Sequence, residues 1–216
     1  MAIAPVNKFL TFSVPVAPGE QVIYSTPVGV SAILLYAQVA NVGINTYPLV
    51  TFTHRRKSNK TGNIRNTRIV KNIEIPPEDA LVIIDGRYVL ERTALISDSI
   101  VIEGSQAGIV SIYDCKYNNT TGLTTVTTYG NHNFSLGDEI TMAGLAFTCS
   151  SNNIAITTTI FPSPQSSFTV SKVGTSTVFE TNTGVIAGIA HTYVSGGKVG
   201  PLQMEFSCSI LENSNV

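Results

Sequence analysis

Tryptophan is absent from this chain, and charge is scarce. Asp, Glu, Lys and Arg make up 12% of the 216 residues, about half the share of an ordinary globular protein. Hydrophobic residues stand at 43%, so the polar surface must come from Thr, Ser, Asn and Gly. Such a surface suits a Thr-rich β protein, because Thr favours strands, and equally a protein covered by neighbours in a large assembly. The net charge of −1 excludes a global electrostatic case for nucleic acid or a membrane surface. Three scattered cysteines, Cys115, Cys149 and Cys208, lack the C-x-x-C spacing of a zinc site and are too few for a disulfide framework. They read as small buried hydrophobes. The longest apolar run, VSAILLYAQVA, falls short of the roughly 20 residues that span a bilayer. The opening MAIAPVNKFLTF has no basic region followed by an apolar stretch, so no secretory signal is expected.

Helices are not expected either. Apolar residues do not recur at helical spacing, and no capping box precedes an amphipathic run. Strands are predicted over 8–14, 20–25, 30–40, 48–54, 66–75, 80–84, 87–91, 99–103 and 108–115. They continue over 123–129, 138–142, 145–149, 155–161, 167–173, 177–182, 190–194 and 201–210. Most are short, rich in Val, Ile, Thr and Tyr, and broken by Gly, Pro or Asn. Asp85-Gly86 between two apolar runs predicts a tight hairpin, and PPED at 76–79 predicts a turn. This rhythm implies an all-β fold, a β-sandwich with a second small β domain inserted before the last strand.

The boundary follows from composition. From Lys116 to Val199 only six charges fall within 84 residues, and Thr dominates. A β-sandwich docking domain is therefore expected over 1–115 plus 200–216, with a Thr-rich inserted domain over 116–199. VSGGKVG at 194–200 reads as a flexible hinge closing the insertion. One strand cannot fold alone, so 201–210 is expected to return to the sandwich.

Charge is unevenly placed. No acid lies between Glu20 and Glu74, and seven of the 13 basic residues fall within 55–71. From Glu74 to Asp114, eight acids face only Arg87 and Arg92. The basic run makes Arg55, Arg56, Lys57, Lys60, Arg65 and Arg68 the candidate protein-interface residues, since Arg pairs bidentately with carboxylates. A solvated hairpin loop is the plain alternative. Nucleic acid is disfavoured, because the run has no interleaved aromatics to stack bases.

The residue types of catalysis and metal binding meet in HNFSLGDEITMAGLAFTC, residues 132–149, which holds His132, Asp138, Glu139 and Cys149. Gly137-Asp138 reads as a turn, because Asp bonds nearby backbone there. Glu139 and Thr141 share one strand face, and Gly144 reads as a second turn. His191 reads as a strand residue with one satisfied nitrogen, and neither it nor His54 has a partner at ligand spacing. No nucleophile elbow and no phosphate-binding glycine loop is visible. No catalytic residue, metal or cofactor is expected, and an enzyme is not expected.

TPVGVSAILLYAQVANVG, TFTHRRK and TRIVKNIEIPPEDALVIIDGRYVLERTALISDSIVIEGS together resemble structural proteins of tailed bacteriophages, especially contractile-tailed phages of marine cyanobacteria. The 116–199 segment, with HNFSLGDEITMAGLAFTC, FTVSKVGTSTVFETNTGV and AHTYVSGG, is similar to a module that recurs in their virion proteins. The resemblance covers roughly 20–210. It implies a non-enzymatic virion component made in the host bacterial cytoplasm, placed in tail, baseplate or neck, or decorating the capsid. The implied partners are other virion proteins and copies of the chain itself, with no membrane. A host-surface adhesin binding a glycan is the other class; it calls for exposed aromatics, for which Tyr129 and Phe161 are the candidates.

Overall fold

The structure is a computed structural model, and it describes residues 6–214 apart from 152, 153, 160 and 187. Among the described residues all regular structure is β, and no helix is long and apolar enough to cross a membrane. The chain forms two compact units. The first takes residues up to Val14, Gln21–Gly104 and Gln203 onward; the second takes Pro15–Glu20 and Ser105–Leu202.

The first unit is a sandwich of two four-stranded sheets. One has the order β1 (Val6–Pro15), β15 (Met204–Ser214), β3 (Val30–Asn41), β6 (Ala80–Glu91). The other has the order β2 (Gly19–Ser25), β7 (Ile96–Ser105), β4 (Leu49–Ser58), β5 (Ile64–Glu74). Phe52 of β4 stacks on Phe206 of β15 with ring centroids 5.8 Å apart, which pins the sheets face to face. Leu34, Leu90, Ile100 and Ile102 fill the space around them. The last strand pairs with β3 from Met204↔Asn41 to Ser214↔Val30.

Asp85-Gly86 is not the predicted hairpin. It lies inside the single strand β6, where Tyr36 faces Asp85 and Leu34 faces Tyr88. Two residues on β6 thus oppose one on β3, a β-bulge, which uses the same Gly chemistry as a turn. The neighbouring pair also slips, between Ser209 and Ile210 of β15. The slip shifts the alternation along β3, so the core-facing positions change from Ala32 and Leu34 to Ala37 and Val39, as a one-residue shift must.

The second unit contains β8 (Val110–Tyr117), β9 (Leu123–Thr128), β10 (Glu139–Ser151), β11 (Ile154–Thr159), β12 (Ser167–Thr175), β13 (Val178–Asn182) and β14 (Ile189–Pro201). Their order is β11-β10-β12-β13-β9-β8-β14, and β14 returns to β10. Six strands therefore close a small barrel, with β11 paired on β10 outside the ring. Closure leaves those six strands without open edges. Val126, Ile140, Met142, Phe147, Val170 and Phe179 fill the interior.

Two sequence readings fail in this barrel. Gly144 makes no turn: Ala143↔Lys198 and Leu145↔Gly196 carry the β10–β14 ladder straight past it. The 194–200 hinge is likewise strand, paired with β10 through Ser195, Gly196, Lys198, Val199 and Gly200. Its glycines serve close approach. Gly196 and Gly197 have φ of +76° and +99°, and a Cβ on Gly197 would sit 2.6 Å from Leu145 Cγ. The three cysteines are buried. Burial pushes the thiols of Cys115 and Cys208 up to about 12, with Asp114 adding to the effect at Cys115.

Candidate functional site

The basic run folds as the β4–β5 hairpin, and its register sorts the six candidate residues. Thr53↔Arg68, Arg55↔Asn66 and Lys57↔Ile64 are direct pairs, as are His54↔Thr67 and Arg56↔Arg65. Side chains of paired residues share a face, and neighbours along a strand alternate. Arg55, Lys57 and Arg68 therefore lie on one face, and Arg56 and Arg65 on the other. Lys60 sits in the connecting turn. Lys57, Lys60, Arg65 and Arg68 are exposed, while Arg55 and Arg56 are half-buried. Arg55 Nε donates to Asn66 Oδ1 at 3.0 Å.

Arg56 is committed within the chain. Its Nε and Nη2 donate to the two oxygens of Asp98, each at 2.7 Å, a bidentate fork of the strongest kind. The backbone N–H of Glu91 donates to Asp98 Oδ2 at 3.0 Å, and His54 Nε2 lies 3.2 Å from Oδ1. His54 Nδ1 meets the Tyr88 hydroxyl at 2.9 Å. The carboxylate of Asp98 is 0% exposed and the Arg56 side chain 40% exposed. Burial works against the Asp98 charge, but Arg56, the Glu91 N–H and His54 outweigh it and hold the carboxyl below its ordinary value. His54, Arg56 and Asp98 come from one sheet and Tyr88 and Glu91 from the other, so the cluster ties the two sheets together.

The polar residues of 132–149 are built into the barrel. The Phe134 N–H donates to His132 Nδ1 at 2.9 Å, which places the ring proton on Nε2, 3.0 Å from the Thr175 carbonyl. Asp138 Oδ2 accepts from the Ser135 N–H at 2.8 Å, closing the turn. His191 Nδ1 contacts Cys149 Sγ, and the His191 ring stacks on Phe161 at 4.3 Å. Tyr117 and Phe147 set their edges against the same imidazole. Burial lowers the His191 pKa. This Cys–His pair is walled by aromatic rings and belongs to the packing. Phe161, an expected exposed aromatic, is 5% exposed, because His191 and Phe147 cover its ring.

Tyr129 is 73% exposed and Tyr113 60%. Their rings meet edge to face at 5.2 Å. Both line an open hollow of about 520 Å³ on the second unit. Tyr193, Ser195 and Lys198 of β14 contribute further lining, and Gly144, Gly196 and Gly197 leave backbone uncovered by side chains. Tyr193 is held in place by donating from its hydroxyl to the Gly196 carbonyl at 2.7 Å. The hollow lies where the β8–β14 register breaks, between Thr192↔Lys116 and Lys198↔Ser111.

No family model and no curated protein matches the sequence. Among solved structures, a chain of the T=1 particles derived from infectious bursal virus is similar at a TM-score of 0.30 and 7% identity, over 100% of this chain and 41% of that one. The stem and receptor-binding domain of the spike protein P1 from bacteriophage PM2 is similar at a TM-score of 0.19 and 9% identity, over 95% of this chain and 96% of that one. The chain spans about two-fifths of the length of the infectious bursal virus chains it matches.

Sequence reasoning missed Asp98, Tyr88 and Tyr113. Arg56 and Asp98 are 42 positions apart, and no spacing rule links residues on different hairpins. The one available signal for the hollow was Tyr129, expected as an exposed aromatic.

Proposed function

We propose that the chain is a non-enzymatic structural component of a phage particle, in tail, baseplate or neck, assembled in multiple copies through the sheets of its first unit. The observation that carries this reading is the charge on two edge strands. β5 and β6 each end a sheet. β5 exposes Arg65, Arg68 and Lys71, whereas β6 and the turn before it expose Glu78, Asp79 and Asp85 against Arg87. Ile64, Ile73, Val82 and Val89 are exposed on the same two strands. An open edge offers backbone groups to another chain, and opposite charge steers that encounter. The sequence resemblance to phage structural proteins supports the same reading.

The test removes charge from the hairpin but spares Arg56. Lys57, Lys60, Arg65 and Arg68, all exposed and all replaced by Ser, should lower incorporation into particles at least about tenfold and flatten its dependence on salt. The thermal midpoint of the isolated chain should stay nearly constant, because surface substitutions usually fall within about 0.5 kcal/mol. Normal incorporation would move the interface elsewhere.

The inserted-domain organisation is part of this proposal. In it, 1–115 plus 200–216 docks on the particle and 116–199 presents its loops. The structure's own unit boundaries supply the cut. A protein in which Gly104 joins Gln203 through a short Gly/Ser linker should stay soluble, with the circular dichroism of a β-sandwich. Aggregation would count against an insertion. An adhesin is the second reading, favoured by the exposed tyrosines around the hollow.

A further inference from the structure

We propose that the hollow bounded by Tyr113, Tyr129 and Lys198 is a saccharide site that selects sugars bearing a negative charge. The proposal deepens the adhesin reading and stands apart from the assembly role of the first unit. Three features converge on it. The first is the ring pair. Tyr has an apolar ring and a polar tip, and two such rings stand exposed on one rim, meeting edge to face. A pyranose has the matching form, with an apolar face of C–H groups and a girdle of hydroxyls.

The second feature is charge. Among the described residues, Lys198 is the single charged one lining the hollow, and no carboxylate lines it. Its exposed ammonium favours a carboxylate or sulfate on the sugar over a neutral ring. The third is the floor. Ligand sites combine apolar walls with a few fixed polar groups. The floor here is Gly196-Gly197, whose positive φ values and tight fit against β10 exclude side chains. A ligand can therefore approach the strand backbone directly. Tyr193, tied to the Gly196 carbonyl, holds this segment in shape before anything binds. The volume of about 520 Å³ is within the range of ligand pockets, about 300–1,000 Å³, and suits one or two sugar rings.

The test uses the full chain on an array pairing uronic-acid, sialic-acid and sulfated oligosaccharides with their neutral counterparts. Hits are then titrated by tyrosine fluorescence, which no tryptophan obscures, since the chain has eight Tyr and no Trp. Acidic members should be retained over their neutral counterparts. Tyr129→Ala should weaken binding about tenfold, and Lys198→Glu should abolish the preference for acidic sugars. Tyr129 is an exposed residue, so the variant should keep the wild-type melting curve. It should also enter particles normally, which separates failure here from failure of the assembly reading. Retention of no glycan, or equal retention by wild type and both variants, would overturn the proposal.

Discussion

Replacing Asp98 by Asn is expected to destabilise the chain by about 3 kcal/mol, the lower end of the cost of removing one partner from a buried ion pair. The lower end applies because Arg56, with a side chain 40% exposed, can turn to water once released. The amide keeps the shape of the carboxylate but carries no charge. It also presents an N–H₂ group where Arg56, the Glu91 N–H and His54 all approach the oxygens of Asp98. Equilibrium urea unfolding reads the loss, and a double-mutant cycle with Arg56→Met isolates the pair's share. A loss below about 1 kcal/mol, the scale of a surface ion pair, would mean the fork contributes no more than an exposed contact.

The same group sets a pH dependence. The folded-state pKa of Asp98 is depressed, so the stabilisation is complete above the unfolded value of about 3.9. It is lost as pH falls through the folded value, because the unfolded chain then binds the proton first. Wild type should lose stability progressively below about pH 4, and Asp98→Asn should show a flatter acid limb. Parallel profiles for the two proteins would remove Asp98 from the acid response.

The second large effect is expected in the barrel. Phe179→Ala should cost about 3–5 kcal/mol, the usual penalty for emptying an aromatic site in a core. Phe179 is 0% exposed. Its ring lies 5.4 Å from Phe134 and 5.2 Å from His132, edge to face with both. Removing it takes the packing from a His132 ring that two backbone groups hold fixed, so the site cannot collapse to fill the space. Urea unfolding followed by circular dichroism measures the cost. A change under about 1 kcal/mol would show that the aromatic cluster repacks freely, contrary to the density of protein cores.

How far the fold could be read ahead depends on the element. LVTFTH alternates cleanly, and β4 runs from Leu49 to Ser58. Gly137-Asp138 was legible as a turn because Asp138 bonds only three residues back, to the Ser135 N–H. Asp85-Gly86 and Gly144 misled for a shared reason. Glycine marks any place where the backbone leaves ordinary geometry, and a bulge or a bent ladder uses it as readily as a turn does. Only the partner strand separates these cases, and the partner is distant in the chain.

The candidate site divides in the same way. A basic patch on a hairpin was visible in the run from Arg55 to Arg68. The removal of Arg56 from that patch by Asp98 was not, nor was the burial of Phe161 under His191. Composition and period-two alternation settled that this chain is all-β, because they report what one residue and its near neighbours prefer. The ring closure of β14 on β10, the clasp across the two sheets and the meeting of Tyr113 with Tyr129 were decided in three dimensions. Each depends on register between strands far apart in sequence, and register is set by collective packing rather than by any local pattern.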